Sequence, residues 1–191
     1  MRITQSKPTN LTGSLLVALP SLMDPNFRKT ILFLVNHDPS EGAMGVILNR
    51  PSATSLPHLG EPLDGELPEG LDKVTVFEGG PVEKHQLILA RMTVSDTSTS
   101  FEALGRDDGE ALLDKLPEGE LRAFIGYAGW SAGQLEREIV EKSWIILPPT
   151  PSMLTAAESI EEGVILWREI MKSLGPWYHL MAGAPDDLSL N

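Results

Sequence analysis

The sequence contains no cysteine, which excludes a disulfide framework, a thiolate metal site and thiol-based chemistry. Aromatic residues make up only 6% of it, and 15 lysines and arginines face 27 aspartates and glutamates, for a formal net charge of -12. A chain this poor in clustered cations lacks the counterion-release term that drives binding to nucleic-acid backbones or anionic lipid. Arg28-Lys29 is an isolated basic pair, so nucleic acid is not an expected partner. Long apolar runs are missing too. Leu15 to Leu19 stops at Pro20, too short for a signal-peptide core or a membrane span, and the expectation is a cytoplasmic protein with no membrane partner. His37, His58, His85 and His179 are scattered without an i, i+4 His pair or a Glu-x-x-His spacing, so no metal site is expected. Neither G-x-x-x-x-G-K-[ST] nor G-x-G-x-x-G occurs, which leaves no phosphate-cradling loop and no expected cofactor.

What is present points to one domain over residues 1–191. A core at this length buries about 70% of the surface that the unfolded chain exposes, so staples are unnecessary. The acidity is local. Residues 1–60 carry 5 basic and 3 acidic side chains, residues 61–120 carry 5 and 15, and residues 121–191 carry 5 and 9. The densest parts, Glu61 to Asp72 and Asp107 to Glu120, read as solvated surface and long loops.

Apolar runs bounded by turn residues predict strands over Gly13 to Leu19, Lys29 to Asn36, Gly45 to Asn49, Lys73 to Phe77, Gln86 to Met92, Leu121 to Tyr127 and Ser143 to Leu147, with a further one near Ser98 to Leu104. His37 to Gly42 reads as a loop, and Glu78-Gly79-Gly80-Pro81 as a turn. Helices are expected over Asp108 to Leu116, Ser131 to Lys142 and Ile160 to Leu174. In the last of these, Ile160, Val164, Trp167, Ile170, Met171 and Leu174 recur at helical spacing, Ser159 with Glu162 forms a capping box, and Gly175-Pro176 ends the helix. Early strands and late helices argue for an α+β domain with a mixed, largely antiparallel sheet.

Gly129-Trp130-Ser131-Ala132-Gly133 is a literal G-x-S-x-G between a strand and a helix, the setting of a nucleophile elbow. A serine hydrolase built on it would use Ser131 as nucleophile and His179 as base, oriented by Glu158, Glu161, Glu162 or Glu169. A structural role is as concrete: Ser131 with Gln134 makes a capping box, the hydroxyl taking an orphan N–H while Gln134 reaches back. Polar and aromatic residues at strand ends form a second constellation, namely Asn36, Asn49, Arg50, Glu78, Tyr127, Trp130 and Gln134. Loops at strand ends are the usual place for function, and an Arg50 and Glu78 pair beside Trp130 would line a groove for a small ligand or a peptide. The alternative is that Trp130 is core, Arg50 and Glu78 partner each other, and the asparagines hold turns.

Four segments together resemble one family. Gly13-Ser14-Leu15-Leu16-Val17-Ala18 with Asp24-Pro25-Asn26-Phe27, Gly42-Ala43-Met44-Gly45-Val46-Ile47-Leu48-Asn49-Arg50-Pro51, Val76-Phe77-Glu78-Gly79-Gly80-Pro81-Val82 and Gly126-Tyr127-Ala128-Gly129-Trp130-Ser131-Ala132-Gly133-Gln134-Leu135-Glu136 are similar to the motifs of the YqgE/AlgH family, in order. Trp144, Trp167 and Gly183-Ala184-Pro185 extend the match. The resemblance implies a compact α+β domain with a barrel-like sheet, a bacterial cytosolic setting and no settled activity, although some members are labelled transcriptional regulators. The place of Ser131 is often glycine in the family, which argues against a shared serine nucleophile, and some members carry cysteines where this chain has none. It also implies that Asn49, Arg50, Glu78, Trp130 and Gln134 form a shared surface. The leading expectation is therefore a non-catalytic binding or regulatory protein for a small molecule or a protein segment, with the Ser131 hydrolase and a DNA-binding regulator as alternatives.

Overall fold

The computed structural model describes residues 10–56, 74–95, 99–104, 120–153, 157 and 159–183. Strands β1 (Leu15–Ala18), β2 (Ile31–Asp38) and β3 (Gly42–Ile47) form an antiparallel meander. Their apolar residues are consecutive because both faces of this part of the sheet are covered. Leu15, Val17, Ile31, Phe33, Val46 and Leu48 enter one core, while Leu16, Ala18, Leu32, Leu34 and Ile47 enter a second. The β2–β3 hairpin runs further than its sequence suggests, since His37 pairs with Ala43 and Asp38 with Gly42 in the segment read as a loop. Asp38 Oδ1 accepts hydrogen bonds from the hydroxyl and amide of Ser40. These bonds close the turn and hold the carboxyl below its ordinary range.

Strands β4 (Val76–Glu78), β5 (Val82–Val94), β6 (Thr99–Leu104), β7 (Glu120–Ser131) and β8 (Trp144–Leu147) complete an eight-stranded sheet ordered β6-β5-β7-β3-β2-β1-β8. The long β7 organises it. Along one edge it pairs with β5, and along the other it pairs with β3 through residues 128–131 and, in parallel, with β4 through residues 123–125. β4 thus fills the fork where β3 parts from β7. The chain beyond β3 closes the far edge of β4: Ile47 N–H donates to Gly79 O, Glu78 N–H to Arg50 O and Ser52 N–H to Val76 O.

Three α-helices follow among the described residues of the C-terminal half. α1 (Gln134–Val140) is shorter than expected, α2 (Ile160–Ser173) matches its periodicity, and α3 (Pro176–Ala182) follows at once, with Pro176 in its first turn. Ser159 Oγ accepts from Glu162 N–H at 3.2 Å, capping α2. Trp167, Ile170 and Met171 bury one face of α2 in the first core, and Trp167 Nε1 donates to the Ala18 carbonyl of β1 at 2.8 Å.

The α+β class, the mixed sheet and the late helices agree with the sequence reading. Closure into a barrel does not occur: β6 and β8 are the two ends of the strand path, unpaired with each other among the described residues. The first core, which a barrel would enclose, is covered by α2 instead, with Ala182 of α3 joining it. The expected helix at Asp108 to Leu116 lies outside the described residues, as do the strand starts at Lys73 and Ser98.

Candidate functional site

Asn49 follows β3 and points inward, with 2% of its surface exposed. Its Oδ1 accepts from Ile31 N–H at 2.8 Å, and its Nδ2 donates to the carbonyls of Lys29 and Gly163, each at 2.9 Å. One amide side chain therefore ties the start of β2 and the first turn of α2 to the end of β3. Gly163 sits so close that a Cβ there would overlap the Asn49 carbonyl oxygen.

Arg50, the next residue, turns outward to the loop between β1 and β2. Its Nη1 donates to Asn26 O at 2.7 Å, and its Nη2 to Arg28 O at 3.0 Å and Pro25 O at 3.2 Å. The guanidinium is thus oriented by main chain rather than by Glu78. Burial lowers its pKa, and the Glu78 charge opposes that shift. Arg50, Glu78 and Lys84 line a cleft of about 240 Å³ at the β4 fork, together with Asn26, Ser52 and Gly80. Ile47 and Ile125 add apolar wall. Lys84 arrives through an irregularity in the β5–β7 pairing, where the register shifts between Val82 and Leu87 and Glu83 adopts a φ of 47°. No sequence signal marks that bulge, so Lys84 was missed; Asn26 and Ser52 reach the cleft from the β1–β2 loop and the chain beyond β3, which the bonds to Arg50 and to β4 bring beside it.

Trp130 and Gln134 lie elsewhere. Trp130 is five residues beyond Ile125 on β7, roughly 16 Å along the strand, and is 6% exposed in the second core. Glu138 of α1 organises its surroundings. Its Oε2 accepts the indole N–H of Trp130 at 2.9 Å and of Trp144 at 2.8 Å, while its Oε1 accepts from Gln134 Nε2 at 2.9 Å. Phe27 joins the two regions. Its ring stacks on Trp130 at 6.2 Å and meets Trp144 edge-on at 5.6 Å, and it belongs to the loop whose carbonyls hold Arg50. The five expected residues therefore occupy three places, the α2 bracket, the cleft and the indole network, and only Arg50 and Glu78 face the cleft.

His37, at the start of the segment expected to be a loop, is only 2% exposed. Its Nδ1 accepts from Leu11 N–H at 3.0 Å, so the network assigns the proton to Nε2, which donates to Glu136 Oε1 at 2.9 Å.

Ser131 ends β7 and is exposed. Gln134 reaches back as expected, accepting the Ser131 N–H at 3.1 Å, but the hydroxyl donates to the same oxygen at 3.2 Å instead of accepting an orphan N–H. The helix N-cap is Gly133, left-handed at a φ of 68°. No histidine bonds the Ser131 hydroxyl among the described residues, and His179 lies on α3, which packs against α2. Ser131→Ala is expected to change stability by no more than about 0.5 kcal/mol. Incubation with a fluorophosphonate should leave this serine unmodified; a Ser131 adduct in the intact mass would revive the hydrolase. No group of three His, Asp or Glu side chains suited to a metal occurs among the described residues. None of their helices is long and apolar enough to cross a membrane.

A mixed α+β domain with a strand fork and an adjoining cleft is the class that these observations define. Residues 15–179 match the family model described as AlgH-like, and the chain belongs to that family. It is 35% identical to a UPF0301 protein of Streptomyces avermitilis, over 96% of each chain. It is 36% identical to one of Pseudomonas aeruginosa, covering 78% of this chain and 83% of the relative. Among solved structures, the solution structure of the AlgH protein from Pseudomonas aeruginosa aligns with a TM-score of 0.64 at 30% identity, over 97% of this chain and 98% of that one. A crystal structure from Corynebacterium diphtheriae, 19% identical, shares the fold with a TM-score of 0.67 over 91% and 92% of the two chains.

Proposed function

We propose that this is a non-catalytic cytoplasmic binding or regulatory protein whose ligand occupies the cleft between Arg50, Glu78 and Lys84. The observation that carries this reading is the Arg50 guanidinium, held by three main-chain carbonyls beside a concavity. A cation oriented before binding loses little freedom when a ligand arrives. Its three hydrogen bonds also do not exhaust the donors of a guanidinium. Loops at strand ends are the usual place for such a site on a rigid sheet.

Small-molecule capture tests the reading. Immobilised protein is exposed to a bacterial metabolite extract, and retained compounds are measured by mass spectrometry for the wild type and Lys84→Ala. Lys84 is exposed, so the variant is expected to fold and to lose the compounds that the wild type enriches. Identical retention by the two proteins would sink the assignment to this cleft.

A further inference from the structure

Resting on that reading, we propose that the cleft takes a small zwitterion, a carboxylate and an ammonium group a few bonds apart, the chemistry of a free α-amino acid. Its charges are mixed: two cations, Arg50 and Lys84, and one carboxylate, Glu78, line the same small concavity, and the Glu78 charge acts on Arg50. A polyanion such as phosphate would meet the two cations but would also bring its charge against Glu78, whereas a zwitterion satisfies both signs at once. Size points the same way. At about 240 Å³ the cleft lies below the roughly 300–1,000 Å³ of pockets that enclose drug-sized molecules.

The remaining lining is consistent with this chemistry. Ser52 Oγ already accepts from Thr54 N–H at 3.1 Å, which leaves its proton to donate, and Ile47 and Ile125 offer apolar contact to a short side chain. The site also has a built-in reporter. A carboxylate drawn to Arg50 pulls on a guanidinium bonded to Pro25, Asn26 and Arg28, and Phe27 in the same loop packs on Trp130 and Trp144.

The test is a set of amide NMR titrations of the full chain with L-alanine, acetate, ethylammonium and inorganic phosphate. L-alanine is expected to shift the Glu78, Gly80 and Lys84 amides saturably, and acetate, ethylammonium and phosphate, each carrying charge of one sign, to bind at least about tenfold more weakly. Glu78→Gln and Lys84→Ala, both at exposed positions, should each weaken L-alanine about tenfold. Glu78→Gln should leave acetate binding unweakened, which separates loss of the ammonium partner from loss of the fold. If acetate or phosphate shifts the same amides as strongly as L-alanine, the zwitterion is overturned and the cleft stands. Silence from all four probes also overturns the zwitterion, and the wider reading then stands or falls on the metabolite capture.

Discussion

Asn49→Ala is expected to destabilise the fold by about 3 kcal/mol or more, with an unchanged dependence on urea. The substitution removes three hydrogen bonds and leaves the Ile31 N–H and the carbonyls of Lys29 and Gly163 without that partner. The buried Ile31 N–H left without an acceptor costs about 1–3 kcal/mol, and the two lost donor bonds about 0.5–1.5 kcal/mol each. Asn49→Asp is not a rescue: it keeps an acceptor for Ile31 but loses both donors and buries a charge. Gly163→Ala approaches the same bracket from the helix. In an exposed helix that change gains about 1 kcal/mol. Here the new methyl overlaps the Asn49 carbonyl oxygen, so α2 must lift from the sheet and the sign reverses. Urea denaturation of both variants checks this. A loss under about 1 kcal/mol for Asn49→Ala would mean that the bracket does not hold α2. The same geometry assigns Asn49 to the fold, because its amide is fully engaged before any ligand arrives.

The strands were legible because burial on both faces makes β1, β2 and the end of β3 continuous apolar runs, and α2 was legible from its 3.6-residue stripe and its Ser159 cap. The pairing was not. Nothing local to Val76–Glu78 tells that it lies parallel to β7 in a fork, since that depends on where residues 47–52 run. The 37–42 segment read as a loop because Gly42, Asp38 and Ser40 are turn formers, yet the ladder continues to the last pair before the turn.

The candidate site was legible in part for a related reason. Strand-end polar residues were the right class to inspect, and two of them, Arg50 and Glu78, do share a cleft. Residue type could not say that Trp130 and Gln134 would be engaged by Glu138, a helix residue that reads as an ordinary exposed charge. His37 was missed because its ring partners are Leu11 N–H and Glu136, which lie 26 and 99 residues away. Lys84 depends on a bulge, and bulges leave no trace in apolar periodicity.

Gly80→Ala should be more damaging than its conformation alone implies. After β4 the chain must pass from the β3 edge of β7 to the β5 edge, and Gly79-Gly80 makes that crossing over β7 itself. A Cβ on Gly79 would overlap the Gly126 carbonyl oxygen, and one on Gly80 would overlap the Tyr127 carbonyl and the Ala128 nitrogen. Neither obstacle is a side chain that can swing away; both are backbone of the strand that organises the sheet. Relief requires β4 or β5 to separate from β7, which also dismantles the cleft beside Gly80. The expected loss is about 3 kcal/mol or more, at the upper end for overpacking. Gly13→Ala supplies the contrast. Gly13 has a φ of 81°, a left-handed conformation, but a Cβ there meets nothing within 4 Å, so the cost is backbone strain of about 1–2 kcal/mol. Comparing the two denaturation midpoints isolates the collision from the dihedral preference. If Gly80→Ala costs no more than Gly13→Ala, the crossing is looser than described, and the glycine pair owes its place to turn geometry instead.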